Sequence, residues 1–440
     1  MSMCSEREFR KRRRQLMQTM GEDAVAIMPA APERRRSRDI YHRYRQDSDF
    51  WYLTGFPEPQ AVAVFIPGRE HGEYVLFCRE KNAHHEAWDG ARAGPEGACM
   101  RYGADDAFPI EDMDDILPGL LEGRGRIFYA MGRHRAFDQR LLSWVNLLKE
   151  RGEGGHDAHE IVALDHVLQD MRSYKSPEEI ALLRKAAEVS VEAHLRAMRV
   201  CRPGMMEYEI EAELLHEFQR RGLSPAYPSI VAGGANACTL HYIDNGDALK
   251  DGELLLIDAG CEYQLYASDI SRTFPVNGCF SREQRALYEL VLASQDAALE
   301  SLHPGGSWND AHARVVDVLT RGLLDLGILK GDPDELIESQ AYRPYFMHRT
   351  GHWLGLDVHD VGEYRVDGHW RELEAGMVLT VEPGIYIGAD RTEVDARWRG
   401  IGIRIEDDVL INSRGCELLS TGLPRTVDEV EGVMAGNQAA

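Results

Sequence analysis

The chain has 440 residues, 44% of them hydrophobic and 28% charged, with 73 acids against 50 bases and a formal net charge of −23. That length supports two or three domains with large cores, and that hydrophobic content excludes global disorder. An acidic excess of this size repels phosphate backbones, which excludes a general nucleic-acid binder.

The charge is uneven, because residues 1–50 carry twelve bases and eight acids, with basic runs at Lys11–Arg14 and Arg34–Arg38. Such runs are expected on a solvated or subunit-contacting face. No apolar run follows the first arginines, and no stretch of about 18 apolar residues occurs, so neither a secretory signal nor a membrane span is expected. The eight cysteines form no Cys-x-x-Cys pair. They argue against a zinc–thiolate site or a disulfide scaffold and fit a reducing cytoplasm.

In chain order, Ser5-Glu6-Arg7-Glu8 predicts the start of a helix with Phe9, Leu16, Met17 and Met20 on one face. Short strands are predicted at Phe50–Leu53, Ala61–Ile66 and Tyr74–Phe77, between Gly and Pro turns. Helices over 111–121 and 136–150 then alternate with strands at Arg126–Met131 and Ile161–Leu164, which predicts an α/β domain. A boundary is expected near Met171–Lys175. Beyond it, Ser176-Pro177-Glu178-Glu179 opens a long amphipathic helix that stops at Pro203-Gly204, followed by a helix over about 206–221. The pattern recurs as a helix over Ser281–Leu302, a break at Pro304-Gly305 and a helix over about 309–326. Apolar strands follow each pair, at Glu253–Asp258 and Leu265–Pro275, then at Val378–Ile387 and Ile401–Ile411. The two Pro-Gly breaks lie 101 residues apart, so a two-fold internal repeat closing around a shared site is expected.

Four stretches carry candidate chemistry. Asp258 and Asp269 sit in apolar strands, and a buried carboxylate needs a cation or hydrogen bonds, so the pair reads as a metal site or a capped hairpin. Ile401, Ile403 and Ile405 place Arg404 and Glu406 on the opposite strand face, lining either a polar cavity or a surface ladder. Glu382 ends a strand before Pro383, which holds it extended; by itself it reads as a turn residue. His348, His352 and His359 fall within twelve residues in a glycine-punctuated stretch. Histidines combined with several carboxylates suit Mn²⁺, Co²⁺ or Zn²⁺ pairs. No Gly-x-Ser-x-Gly elbow, Walker loop or His-Glu-x-x-His occurs, and an isolated Cys261 reads as a structural thiol.

The order Asp258, Asp269, His352, Glu382, Glu406 resembles the five-ligand dinuclear site of the pita-bread metallopeptidases, which include methionine aminopeptidase, prolidase and aminopeptidase P. The stretches Ile257–Pro275, His348–Gly362, Thr380–Tyr386 and Gly400–Asp408 are similar to aminopeptidase P, as is Arg45–Phe56. The resemblance implies a creatinase-like α/β domain over 1–173 and a pita-bread catalytic domain with a pseudo-two-fold repeat over 174–440. It implies that Asp258 binds one ion, that His352 and Glu382 bind the other, and that Asp269 and Glu406 bridge them. The expected ion is Mn²⁺, with Co²⁺ or Zn²⁺ as alternatives. It assigns His241, His348, His359 and Arg404 to catalysis beside Glu382, and Tyr364 and Tyr386 to the proline-side pocket. Asp39 and Trp88 would reach the cleft from the first domain, which would cover the site and support a dimer or tetramer. Arg349 departs from the pattern, since many relatives have glycine there, and it bears on cleft access. The implied activity is removal of an N-terminal residue that precedes proline, by a cytoplasmic enzyme with no nucleic-acid or membrane partner. Prolidase, restricted to Xaa-Pro dipeptides, is the alternative. A metal-free creatinase-like hydrolase or a non-catalytic binding module would have lost ligands that this chain keeps.

Overall fold

The structure is a computed structural model that describes residues 4–151 and 160–435. The chain divides into two compact units, Met1–Met171 and Arg172–Ala440.

The first unit is built on a six-stranded sheet. Its order is Asp106–Pro109, Tyr74–Cys78, Val62–Phe65, Ala24–Pro29, Arg126–Tyr129 and Glu160–Ala163. The three pairs formed by Ala24–Pro29 with Arg126–Tyr129, Arg126–Tyr129 with Glu160–Ala163, and Tyr74–Cys78 with Asp106–Pro109 are parallel, joined through helical crossovers. Ser5 caps the first helix, Glu6–Met20, by accepting from the Glu8 amide at 3.2 Å, and Phe9, Leu16, Met17 and Met20 are buried.

Two expectations fail here for one reason. Phe50–Leu53 is not a strand but part of the helix Ser48–Thr54. Asp47 caps it by accepting from the Phe50 amide at 2.9 Å, and Gly55 ends it with φ 60°. These end signals outweigh the β-preference of the aromatic run. The basic run Lys11–Arg14 is likewise not wholly a surface feature, because Arg12 and Arg13 are buried. Arg12 donates to the Tyr52 carbonyl at 3.1 Å and Arg13 to the Leu53 carbonyl at 3.0 Å. They satisfy the free carbonyls at the helix C-terminus. Arg34–Arg38 is exposed, on the two-stranded hairpin Arg35–Ser37 and Ile40–Tyr41.

The second unit carries two helix pairs, Pro177–Val200 with Glu207–Gln219 and Arg282–Ser301 with Trp308–Asp325. Their hydrogen bonds repeat. Gly204 (φ 90°) donates to the Leu249 carbonyl at 2.8 Å, and Gly305 (φ 82°) donates to the Leu373 carbonyl at 2.8 Å. Bridges Met206–Ala248 and Ser307–Glu372 follow each turn. Each half therefore pins its second helix to the loop that feeds its central strand, and the internal repeat is real.

The strands of the two halves meet at the centre. Ile230–Gly233, Leu254–Asp258 and Ser271–Pro275 form one antiparallel sheet. Val378–Val381, Asp407–Asn412 and Gly415–Leu418 form a second, while Gly384–Ile387 pairs with Ile401–Arg404. Three long runs of the expected strands are interrupted, one of them at Glu382 as Pro383 implies and two where no break is expected. Leu265–Pro275 breaks at 268–270, Val378–Ile387 at Glu382-Pro383, and Ile401–Ile411 at Ile405-Glu406. Asp269, Glu382 and Glu406 occupy these breaks, and Asp258 is the last residue of its strand. The breaks interrupt the regular ladders, and a lone bridge between Ser271 and Glu406 helps to bring the carboxylates together.

His194, on the helix Pro177–Val200, is fully buried, and its Nε2–H donates to the Ala259 carbonyl at 3.0 Å. Burial pushes its pKa down to about 4, so the fold holds it neutral. Above pH ~6.5 the ring is neutral in both folded and unfolded chains and contributes no pH dependence. As pH falls from ~6.5 to ~4 only the unfolded chain takes up a proton, so stability drops by about 3 kcal/mol. A His194→Gln variant is expected to show a correspondingly flatter chemical-denaturation midpoint between pH 6.5 and 4; an unchanged pH slope would refute this assignment.

Candidate metal centre

The three strand breaks and the strand end at Asp258 deliver four carboxylates to the floor of one cleft of about 700 Å³. Oxygens of Asp269 and Glu406 and a nitrogen of His352 lie within 4.8 Å of one another. Asp258 and Glu382 line the same cleft. His352 Nδ1–H donates to the Trp353 carbonyl at 2.9 Å, which turns Nε2 towards the acids, 3.2 Å from Asp269 Oδ2 and 3.8 Å from Glu382 Oε1, where it carries a proton that a bound cation would replace.

Among the described residues Arg404 is the guanidinium that bonds to these acids. It is buried, donating from Nη2 to Asp258 Oδ2 at 2.6 Å, from Nε to Ser271 Oγ at 2.8 Å and from Nη1 to the Tyr386 hydroxyl at 3.2 Å. The Ser271 hydroxyl donates in turn to Glu406 Oε2 at 2.6 Å. One arginine cannot balance four carboxylates, and the electrostatics record the excess. Burial pushes Asp258 up to about 6 and Glu382 up to about 7, and drives Glu406 well above the carboxylate range. Burial acts on Asp269 in the same direction, but the hydrogen bond and charge of His352, with help from Tyr227, hold it below its ordinary value. Burial alone would lower His352, yet Asp269 and Glu382 raise it to about 9. Oxygen-rich donors, an imidazole nitrogen aimed at them and uncompensated negative charge fit divalent cations.

The remaining predicted residues divide by position. His241 and His359 line the cleft, and His359 meets the His352 ring edge-on at 4.4 Å. His348 also lines it; its Nδ1–H donates to the Arg349 carbonyl at 2.7 Å and its Nε2 accepts from the Tyr386 hydroxyl at 2.9 Å. Burial lowers His348 to about 3, so the ring is neutral. Tyr364 forms the cleft wall, stacked on Trp353 at 5.6 Å and meeting Trp308 at 4.8 Å. Tyr386 does not line the cleft as expected of a pocket residue. It is fully buried, and its hydroxyl links Arg404 to His348. Asp39 and Trp88 belong to the other unit, where both are exposed, and take no part in this geometry. Cys261 is a buried thiol pushed up to about 11, unsuited to nucleophilic work.

Several working residues escape a reading of the sequence. The Tyr227 hydroxyl lies 2.7 Å from Asp258 Oδ1 and 2.5 Å from Asp269 Oδ1, sharing its proton between them. It sits in an irregular stretch with no periodicity to mark it. Ser271 could have been found, since it lies two residues after Asp269. Glu207 is fully buried, and it accepts from the Gly233 and Asp247 amides, Asn236 Nδ2 and the Tyr242 hydroxyl at 2.7–3.0 Å. These four bonds bracket the segment that carries His241.

Comparison with known proteins agrees with this site. A model of metallopeptidase family M24 matches residues 181–413, and one of the aminopeptidase P N-terminal domain matches residues 9–129. The Xaa-Pro aminopeptidase of Escherichia coli (strain K12) is 46% identical over 437 residues, covering 99% of both chains. The solved structure of Pseudomonas aeruginosa aminopeptidase PepP is 58% identical and superposes with a TM-score of 0.99 over 100% of both chains. A variant of Escherichia coli aminopeptidase P in complex with substrate is 45% identical, with a TM-score of 0.97 over 100% of both chains. The architecture is accordingly mixed α and β, an aminopeptidase P N-terminal domain followed by a pita-bread domain. The chain belongs to metallopeptidase family M24.

Proposed function

We propose that the chain is a dinuclear-metal Xaa-Pro aminopeptidase, releasing the first residue of peptides whose second residue is proline. The observation that carries this reading is the meeting of four carboxylates and His352 Nε2 on the floor of one aromatic-walled cleft. Asp258 would hold one ion, His352 and Glu382 the other, with Asp269 and Glu406 shared between them. Two bound divalent cations would acidify a water near neutral pH and polarise the scissile carbonyl. Manganese is the proposed ion, because the donor set is rich in oxygen; Co²⁺ and Zn²⁺ accept the same donors.

The protein's own groups do the rest. Glu382 lies in the cleft beside His352 and can take a proton and pass it to the leaving nitrogen. An Xaa-Pro nitrogen carries no N–H, so the departing proline needs that proton and a shaped wall, for which Tyr364 and Trp308 are placed. His241 and His359 would donate to the carbonyl oxygen as negative charge builds there. Arg404 holds Asp258 ionised and, through Tyr386, fixes the His348 ring.

The amino-terminal unit is proposed to cover the cleft and to build a dimer or tetramer, with Asp39 and Trp88 offered towards substrate. Trp88 is 79% exposed in the chain. Cytoplasmic residence is proposed from eight free cysteines. Among the described residues no helix is long and apolar enough to cross a membrane.

Prolidase uses the same ligand order, and substrate length separates the two. The Mn²⁺-loaded protein is expected to cleave Xaa-Pro-Xaa tripeptides with higher kcat/KM than Xaa-Pro dipeptides. Strict dipeptide preference would replace this assignment with prolidase.

A further inference from the structure

The cleft has a second charged feature that the chemistry above does not use. Its mouth is lined by Arg349, Arg365 and Trp370. Arg365 and Trp370 are directly paired in the small hairpin Arg365–Val366 and His369–Trp370. The Arg365 guanidinium lies 4.1 Å from the centre of the Trp370 ring, and the Arg349 guanidinium 4.8 Å from the same point. Arg349 is braced from its other side by Asn309, whose Oδ1 accepts from Nη2 at 2.7 Å.

Two guanidinium groups therefore share one aromatic ring, and among the described residues neither forms an ion pair with a carboxylate. Their isolation is notable in a chain with 73 acidic residues. Like charges held together without a counter-ion repel, and burial with the nearby Arg365 charge lowers the pKa of Arg349. Such a pair gains by meeting an anion, and guanidinium groups match a carboxylate through paired N–H donors. The cleft thus has opposite poles: the acidic floor, and a cationic mouth within the same 700 Å³.

We propose that Arg349 and Arg365, stacked on Trp370, form a subsite for a substrate carboxylate on the proline side of the scissile bond. This rests on the Xaa-Pro reading above and adds the substrate class: short peptides with a free C-terminus, or peptides with Asp or Glu after proline. A free α-carboxylate and an acidic side chain present the same chemistry to the arginines.

The test compares three substrates of the Mn²⁺-loaded enzyme: Xaa-Pro-Leu as free acid, Xaa-Pro-Leu amide and Xaa-Pro-Glu amide. The free acid is expected to exceed the Leu amide about tenfold in kcat/KM, chiefly through KM, as a charge-assisted hydrogen bond predicts. That ratio should shrink as salt is raised. In Arg349→Ala and in Arg365→Ala it should fall towards one, with Arg349→Lys recovering part of it. A matching gain for Xaa-Pro-Glu amide identifies side-chain carboxylates as ligands too, and no gain confines the subsite to the C-terminus; both support it. Equal turnover of acid and amide by the wild type, or a preference that survives both alanine variants, would overturn it. Failure to cleave any of the three would instead defeat the Xaa-Pro assignment on which the subsite rests.

Discussion

Asp269→Ala is expected to lower kcat/KM on an Xaa-Pro-Xaa peptide by at least about 10³-fold, since a lost metal clamp forfeits several kcal/mol of transition-state stabilisation. Asp269 is the natural place for so large an effect. It is the one carboxylate of the set held below its ordinary pKa, so it stays ionised when its neighbours accept protons. Its Oδ2 faces His352 and its Oδ1 takes the Tyr227 proton, while its amide is held by Asp408 Oδ1 at 3.1 Å. The substitution removes a charge from a cluster that repels itself, so it should not unfold the metal-free protein. What it should remove is the rise in melting temperature caused by Mn²⁺, because stabilisation by a ligand follows its affinity for the folded state. Full activity with an unchanged Mn²⁺ shift would contradict the role given to this residue.

Asp360→Ala is expected to destabilise the protein by about 3–5 kcal/mol, the range for removing one partner of a buried ion pair. Asp360 Oδ1 accepts from Arg172 at 2.5 Å and Oδ2 from Lys175 Nζ at 3.1 Å, with all three side chains at most 2% exposed. Deleting the carboxylate strands the Lys175 ammonium in the core, while Arg172 keeps its 2.8 Å pair with Asp357. Asp360 also anchors the loop after the cleft histidines, its amide donating to the Trp353 carbonyl at 2.9 Å. Denaturant titration of Asp360→Ala and of the double variant Asp360→Ala/Lys175→Met separates the causes. Partial recovery in the double variant identifies the stranded charge. An effect under about 1 kcal/mol would place the network among the weak surface pairs.

How far the sequence could be read depends on whether the decisive contact is local. The helix pairs announce themselves through caps and Pro-Gly breaks, and Ser176, Ser281 and Ser307 all cap as a local reading requires. The internal repeat is legible because both halves use the same punctuation. The candidate ligands are legible as residue types in a particular order, and not as a geometry. Asp258 and Glu406 come together through the bridge between Ser271 and Glu406, 135 residues apart in sequence, which no periodicity encodes. Pro383 marks the strand break at Glu382, but those at Asp269 and Glu406 are hidden, since apolar residues continue on both sides of each. Arg12 and Arg13 were misread for a related reason. A basic run looks solvated until the helix Ser48–Thr54 presents its carbonyls to it, and that helix was itself hidden under an aromatic, strand-like composition. Tyr386 was misplaced by its strand. Both faces of Gly384–Ile387 are buried, so alternation could not show which side chains meet the cleft.

The central claim is that the strand breaks build a two-cation hydrolase. Its most direct test is to strip the wild-type protein with chelator, titrate it with Mn²⁺, and count bound ions while following release of the first residue of an Xaa-Pro-Xaa peptide. The account predicts two ions per chain, no cleavage in the stripped protein, and activity that rises with loading at Asp258, Asp269, His352, Glu382 and Glu406. Undiminished cleavage by the stripped protein, or saturation with no bound ion, would contradict it.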